Sequence, residues 1–147
     1  MRTFEQAIRN AIEIERAAGR FYLRLLDKAG DPATRGFLQD MAAQEEDHAQ
    51  RLEGLAAKLA AGELPASPDD QVHGVETAPG WACSDDVLLD LRNALTIAIE
   101  AENSAALYYD AMADAAAGAV AQFFRDLVET ENGHARQLTA KLAELNE

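Results

Sequence analysis

Six side chains able to bind a metal ion stand out by type and spacing: Glu15, Glu45, His48, Glu102, Glu131 and His134. Glu45 with His48, and Glu131 with His134, form two Glu-x-x-His pairs. On a helix, i and i+3 share a face, so each pair can grip one ion. All six lie on rows of apolar residues that step by three and four, the spacing of a helix seam. Phe4, Ile8, Ala11, Ala18, Tyr22 and Leu25 flank Glu15; Leu38, Met41 and Leu52 flank Glu45 and His48. The second half repeats the first. A shift of 87 carries the Glu15 row onto Leu91, Leu95, Ala98, Glu102, Ala105, Tyr109 and Met112. A shift of 86 carries the Glu45 row onto Phe124, Leu127, Glu131, His134 and Leu138. A buried, unpaired carboxylate costs several kcal/mol or more, and four in one core repel one another. Two divalent cations would balance four ionised glutamates beside two neutral imidazoles. Oxygen and imidazole donors suit iron and manganese, and also zinc.

Four elements must position these groups. The segments 3–29, 33–61, 85–116 and 118–146 are rich in Ala, Leu, Glu, Arg and Gln, all good helix formers. The four prolines (Pro32, Pro65, Pro68 and Pro79) fall outside long periodic stretches. Asp31-Pro32 closes the first segment and opens the second. Ser84 or Asp85 is the expected N-cap of the third, and Gly118 separates the third from the fourth. No segment alternates with period two, so strands are not expected. The stretch 62–84 holds three prolines and three glycines and reads as a connection. Extended, it could reach about 75 Å, whereas a helix of this size is about 40 Å long. It can therefore run the length of a bundle. The expected fold is all-α: a single domain over 1–147, with two antiparallel helix hairpins joined by one long crossover, the ferritin-like form of the four-helix bundle. One Glu from each of two helices, plus Glu-x-x-His from each of the other two, is the signature of di-iron or di-manganese carboxylate bundles.

Composition narrows the function. Across 147 residues, 26 acidic and 13 basic side chains leave a net charge of −13. With no basic block, DNA, RNA and anionic membranes are poor partners. No stretch approaches the ~20 apolar residues of a membrane span, and the first residues lack the apolar run of a signal peptide. A lone Cys83 excludes an internal disulfide and any all-cysteine metal site. A cytoplasmic location is expected.

On Glu15 with Tyr22, Glu45-Glu46-Asp47-His48, Glu102 with Tyr109, and Glu131-Asn132-Gly133-His134, the chain resembles a rubrerythrin-type member of the ferritin-like superfamily. The resemblance implies that Glu15 and Glu102 are terminal ligands, that Glu45 and Glu131 bridge two iron ions, and that His48 and His134 each cap one. Tyr22 and Tyr109 stand two turns, about 10.5 Å, from the glutamate on their own helix. They are better placed to hydrogen-bond a ligand on a neighbouring helix. Two departures are visible. One cysteine cannot build the rubredoxin module that usually delivers electrons in the family, so that module is expected to be absent. Ala105 stands where the family carries an extra glutamate.

The expected activity is therefore that of a di-iron oxidoreductase reacting ferrous iron with peroxide or dioxygen, served by an external electron donor if it turns over. The alternative is a bundle that holds iron, zinc or manganese without turnover; a third reading is a structural bundle. A homodimer is expected, and the connection is long enough to let hairpins exchange between chains. Other residues carry lesser expectations. Glu13 reads as surface charge with Arg9, Arg16 and Arg20, as do Glu46, Asp47 and Glu129. Glu100 could supply the carboxylate missing at Ala105. His73 reads as exposed, Trp81 as a lid, Cys83 as an inert thiol, and Tyr108 as facing solvent or a partner subunit.

Overall fold

The computed structural model describes residues 2–63, 71–75, 81 and 90–146. Four long helices, α1 (Phe4–Arg24), α2 (Pro32–Ala60), α3 (Leu91–Asp114) and α4 (Gly118–Leu145), form an all-α bundle. α1 packs chiefly on α2, and α3 on α4. Each of these pairs is joined by a short turn, so its helices run antiparallel.

Local chemistry sets the helix ends. Thr3 and Gln6 make a reciprocal capping box at the start of α1, with both bonds 3.1 Å long. The Asp31 carboxylate accepts from the Thr34 amide at 2.9 Å, with Pro32 in the first turn of α2. Such caps are each worth about 1 kcal/mol. α1 does not continue to residue 29 as an α-helix. Leu25–Lys28 tighten into a 3-10 turn, a common way to end a helix. Arg35 donates to the Leu26 carbonyl there. α2 ends in a Schellman motif: Glu63 N–H donates to Lys58 O at 2.9 Å, and Gly62 takes φ +72°. The expected caps of α3, Ser84 and Asp85, lie outside the described residues. Within the described residues Asp90, with extended backbone, caps Leu91–Asp114 and accepts from the Arg92 amide at 2.9 Å.

The crossover leaves two marks on the bundle. Gln71–Val72 (β2) pairs antiparallel with Arg2–Thr3 (β1), placing Arg2 opposite Val72. This two-residue ladder is too short to show as an alternating pattern. Further along, buried Trp81 packs on Phe21 and Tyr22, with ring centroids 5.2 and 5.4 Å away. Residues 3 and 21 lie about 27 Å apart along α1. Val72 and Trp81 thus lie at opposite ends of α1. Gly74 lies between the two marks at φ +85°, and a Cβ there would sit 3.2 Å from Ala111 of α3. Only glycine suits both that backbone and that approach.

Phe4, Ile8, Leu38, Met41, Leu52, Leu95, Met112, Phe124, Leu127 and Leu138 are all buried in one core, as the seam spacing requires. The centre of that core is polar.

Candidate metal centre

Glu15, Glu45, His48, Glu102, Glu131 and His134 are all buried and meet between the four helices. They form two groups able to hold a metal ion. One is Glu15, Glu45, His48 and Glu131; the other is Glu45, Glu102, Glu131 and His134. Within each group the donor atoms lie within 4.8 Å of one another, and Glu45 and Glu131 belong to both.

The contacts obey the repeat. Tyr22 donates to Glu102 at 2.7 Å, and Tyr109 donates to Glu15 at 2.6 Å. Each tyrosine thus reaches the carboxylate of the other hairpin. His48 Nδ1 lies 3.6 Å from Glu15 and 3.6 Å from Glu131. His134 Nδ1 lies 3.6 Å from Glu102 and 3.0 Å from Glu45, the latter not aligned as a hydrogen bond. The two rings are nearly parallel, 5.8 Å apart.

Five buried atoms of the cluster find no hydrogen bond among the described residues: Glu45 Oε1, Glu102 Oε2, Glu131 Oε1, His48 Nδ1 and His134 Nδ1. They come from α2, α3 and α4 and converge on one place. Leaving such an atom unsatisfied costs about 1–3 kcal/mol, more for a charged group. Cations would satisfy all five together, so the donor set fits metal ions.

Electrostatics agree with this fit. Burial, then the charges of Glu15 and Glu102, push the Glu45 carboxyl well above its ordinary value. Burial and the same two neighbours do likewise for Glu131. Burial alone would also raise Glu15, but the neighbouring Glu45, His48 and Tyr109 side chains bring it down to about 2. The two carboxyls shared by both groups are thus the ones whose protonated form burial and neighbouring charge favour. The Tyr22 and Tyr109 hydroxyls are raised by burial and by adjacent carboxylates, so both remain donors.

The remaining candidates fall outside the cluster. Glu13 is exposed and pairs with Arg20 at 3.1 Å, while Arg9 pairs with Glu5 and Arg16 with Glu53. Glu46, Asp47 and Glu129 are exposed. Glu100 is exposed too, so it does not replace the carboxylate absent at buried Ala105. His73 is exposed, and Cys83 lies outside the described residues. Tyr108 does not face solvent. It is buried against α1, donates to Ala7 O at 2.7 Å and accepts from Asn10 at 3.3 Å. Its repeat counterpart, Phe21, is equally buried, and that correspondence was the signal to read. Gln44 was not singled out by spacing. Its amide oxygen lies 2.7 Å from His134 Nε2.

Fold and cluster together define a four-helix bundle with a core of carboxylates and imidazoles. The family model described as rubrerythrin matches residues 6–140, and the chain belongs to the rubrerythrin family. Comparisons with curated proteins and with solved structures give no match. Among the described residues, no helix is long and apolar enough to cross a membrane.

Proposed function

We propose that the chain is a di-iron carboxylate oxidoreductase, acting on peroxide or dioxygen in oxidative-stress defence or iron handling. The observation that carries the reading is two buried donor groups sharing Glu45 and Glu131. Glu15 and His48 complete one ion position, and Glu102 and His134 complete the other. Paired iron, when bound, supplies electrons to the oxidant. The protein's part is to hold the ions close together, keep them in a dry core, and absorb changes of charge through carboxylates linked to Tyr22 and Tyr109. The raised Glu45 and Glu131 carboxyls must be deprotonated to bind ions, which ties uptake to pH. A cytoplasmic homodimer drawing on an external electron donor fits this reading.

The test is anaerobic loading with ferrous iron, then rapid mixing with peroxide or dioxygen. Two irons should bind per chain and oxidise much faster than free ferrous iron. Two bound irons that oxidise no faster than free iron would sink the redox reading. One observation favours a second reading, a bundle that holds iron, zinc or manganese without turnover. Ala105 is buried where the resemblance places another carboxylate, and exposed Glu100 leaves that place unfilled. Sustained peroxide consumption with an added reductant separates the two; stoichiometric oxidation alone favours the second.

A further inference from the structure

Resting on the two-ion reading above, we propose that Gln44 is a positioning residue that makes the two ion positions unequal. The Gln44 amide oxygen lies 2.7 Å from His134 Nε2. A carbonyl oxygen only accepts, so the ring presents an N–H at Nε2. In the neutral ring Nδ1 then keeps its lone pair. Nδ1 is the atom turned toward Glu45, Glu102 and Glu131, at 3.0, 3.6 and 3.8 Å. The same bond restrains the rotation of the ring. His134 is set in its ligating state before any ion arrives.

His48 faces the cluster through the same atom, 3.6 Å from both Glu15 and Glu131. The repeat places Thr130 where Gln44 would be. The Thr130 hydroxyl turns back and donates to Asp126 O, at 3.0 Å in its own helix. Among the described residues, none stands to His48 as Gln44 stands to His134. His48 must therefore settle its tautomer and ring angle when an ion binds, which weakens binding there. Its side chain is 7% exposed, against 2% for His134. The position built on His134 and Glu102 fills first and holds its ion longer. The position built on His48 and Glu15 fills second and exchanges faster.

Zinc titration of the metal-free protein against a competing chelator reads this directly. The unmodified chain should show two unequal steps. Gln44→Ala should weaken the tighter step about 10–100-fold and leave the other in place. Gln44→Glu should retain the order, because a carboxylate accepts the same proton. Thr130→Ala should change neither step. In the zinc-loaded protein, proton–nitrogen spectra of the histidine rings should show one slowly exchanging Nε2–H, on His134, lost in Gln44→Ala. The assignment is overturned by equal steps in the unmodified chain, by a Gln44→Ala variant with both steps unchanged or equally weakened, or by a His134 proton on Nδ1. Those results, with two zinc ions bound, leave the two-ion reading standing. No zinc bound at either position removes both.

Discussion

Tyr22 reaches from the first hairpin to Glu102, and Tyr109 reaches from the second hairpin to Glu15. His48 and His134 each lie 3.6 Å from the seam glutamate of their own half. At the centre of the bundle the two halves are near copies. One layer out they part. Trp81 from the crossover covers Tyr22, whereas Phe124 of α4 stacks 6.0 Å from Tyr109. The counterpart of Phe124 in α2 is Leu38, and the counterpart of Gln44 is Thr130. A pair of ions that share two carboxylates demands matched distances, so the inner contacts follow the repeat. The surrounding layer has no such demand, and there the halves can be tuned separately.

The largest effects should come from the two carboxylates that belong to neither half alone. Glu45→Gln or Glu131→Gln should abolish tight binding at both positions, a greater loss than the ~100-fold that removing an outer hydrogen-bond partner costs. Glu15→Gln and Glu102→Gln should each remove one. Elemental analysis after loading reads the difference as none against one ion per chain. Equal losses from all four would mean that the donors act as a single undivided cluster.

Proton linkage gives the next effect. The Glu45 and Glu131 carboxyls titrate well above 4.5 in the fold, so above pH 4.5 the folded chain holds more protons than the unfolded one. Their contribution to metal-free stability is full below pH 4.5 and is lost as pH rises through their raised values. Glu15 runs the other way. Lowered to about 2, it stabilises above pH 4.5, and that contribution is lost as pH falls through about 2. A tenfold change in proton affinity on folding is worth about 1.4 kcal/mol. Melting of the metal-free chain should therefore peak near the ordinary carboxyl value and decline as pH rises through the raised values, with metal reversing that decline. A flat alkaline limb would show that Glu45 and Glu131 ionise freely in the core.

The outer layer predicts smaller, unequal changes. Trp81→Ala should cost about 3–5 kcal/mol in denaturant melts, as for other buried large aromatics, and should loosen the Tyr22 side alone. Tyr22→Phe and Tyr109→Phe should each cost the metal-loaded protein about 1.5–3 kcal/mol, the worth of a hydrogen bond to a charged acceptor. In the Trp81→Ala background the Tyr22→Phe cost should shrink, while that of Tyr109→Phe stays as it was. Equal shrinkage would mean that the lid acts on the whole bundle.

The inner layer is written in the sequence because it is periodic and duplicated. Glu15, Glu45 and His48 break apolar rows at the same depth at which Glu102, Glu131 and His134 break theirs. Antiparallel hairpins then leave little choice about which groups meet. The same repeat already marked Tyr108 as core through Phe21, yet its place beside Tyr109 on the helix suggested an outward face. Gln44 was hidden for a different reason. It lies on an exposed row of α2, has no counterpart of its own kind, and acquires its partner only when α2 and α4 come together. At the start of α3, Ser84, Asp85 and Asp90 offer the same capping chemistry, and spacing does not choose among them.

Thr130 offers the smallest change and the sharpest reading of the difference between the halves. Its hydroxyl is occupied by the Asp126 carbonyl in its own helix, a contact whose loss costs little. Thr130→Gln places near His48 the side chain that His134 already has. If the repeat governs the outer layer as it governs the inner one, the new amide oxygen should reach His48 Nε2 and restrain its tautomer. The weaker zinc step should then tighten by less than about tenfold, within the range that outer partners exert, while the stronger step is unchanged. The exchanged pair, Gln44→Thr with Thr130→Gln, is more demanding. It should reverse the order of filling, with the slowly exchanging ring proton moving from His134 to His48. If His134 still fills first in the exchanged pair, the inequality comes from the carboxylates or from the lid over Tyr22, not from position 44.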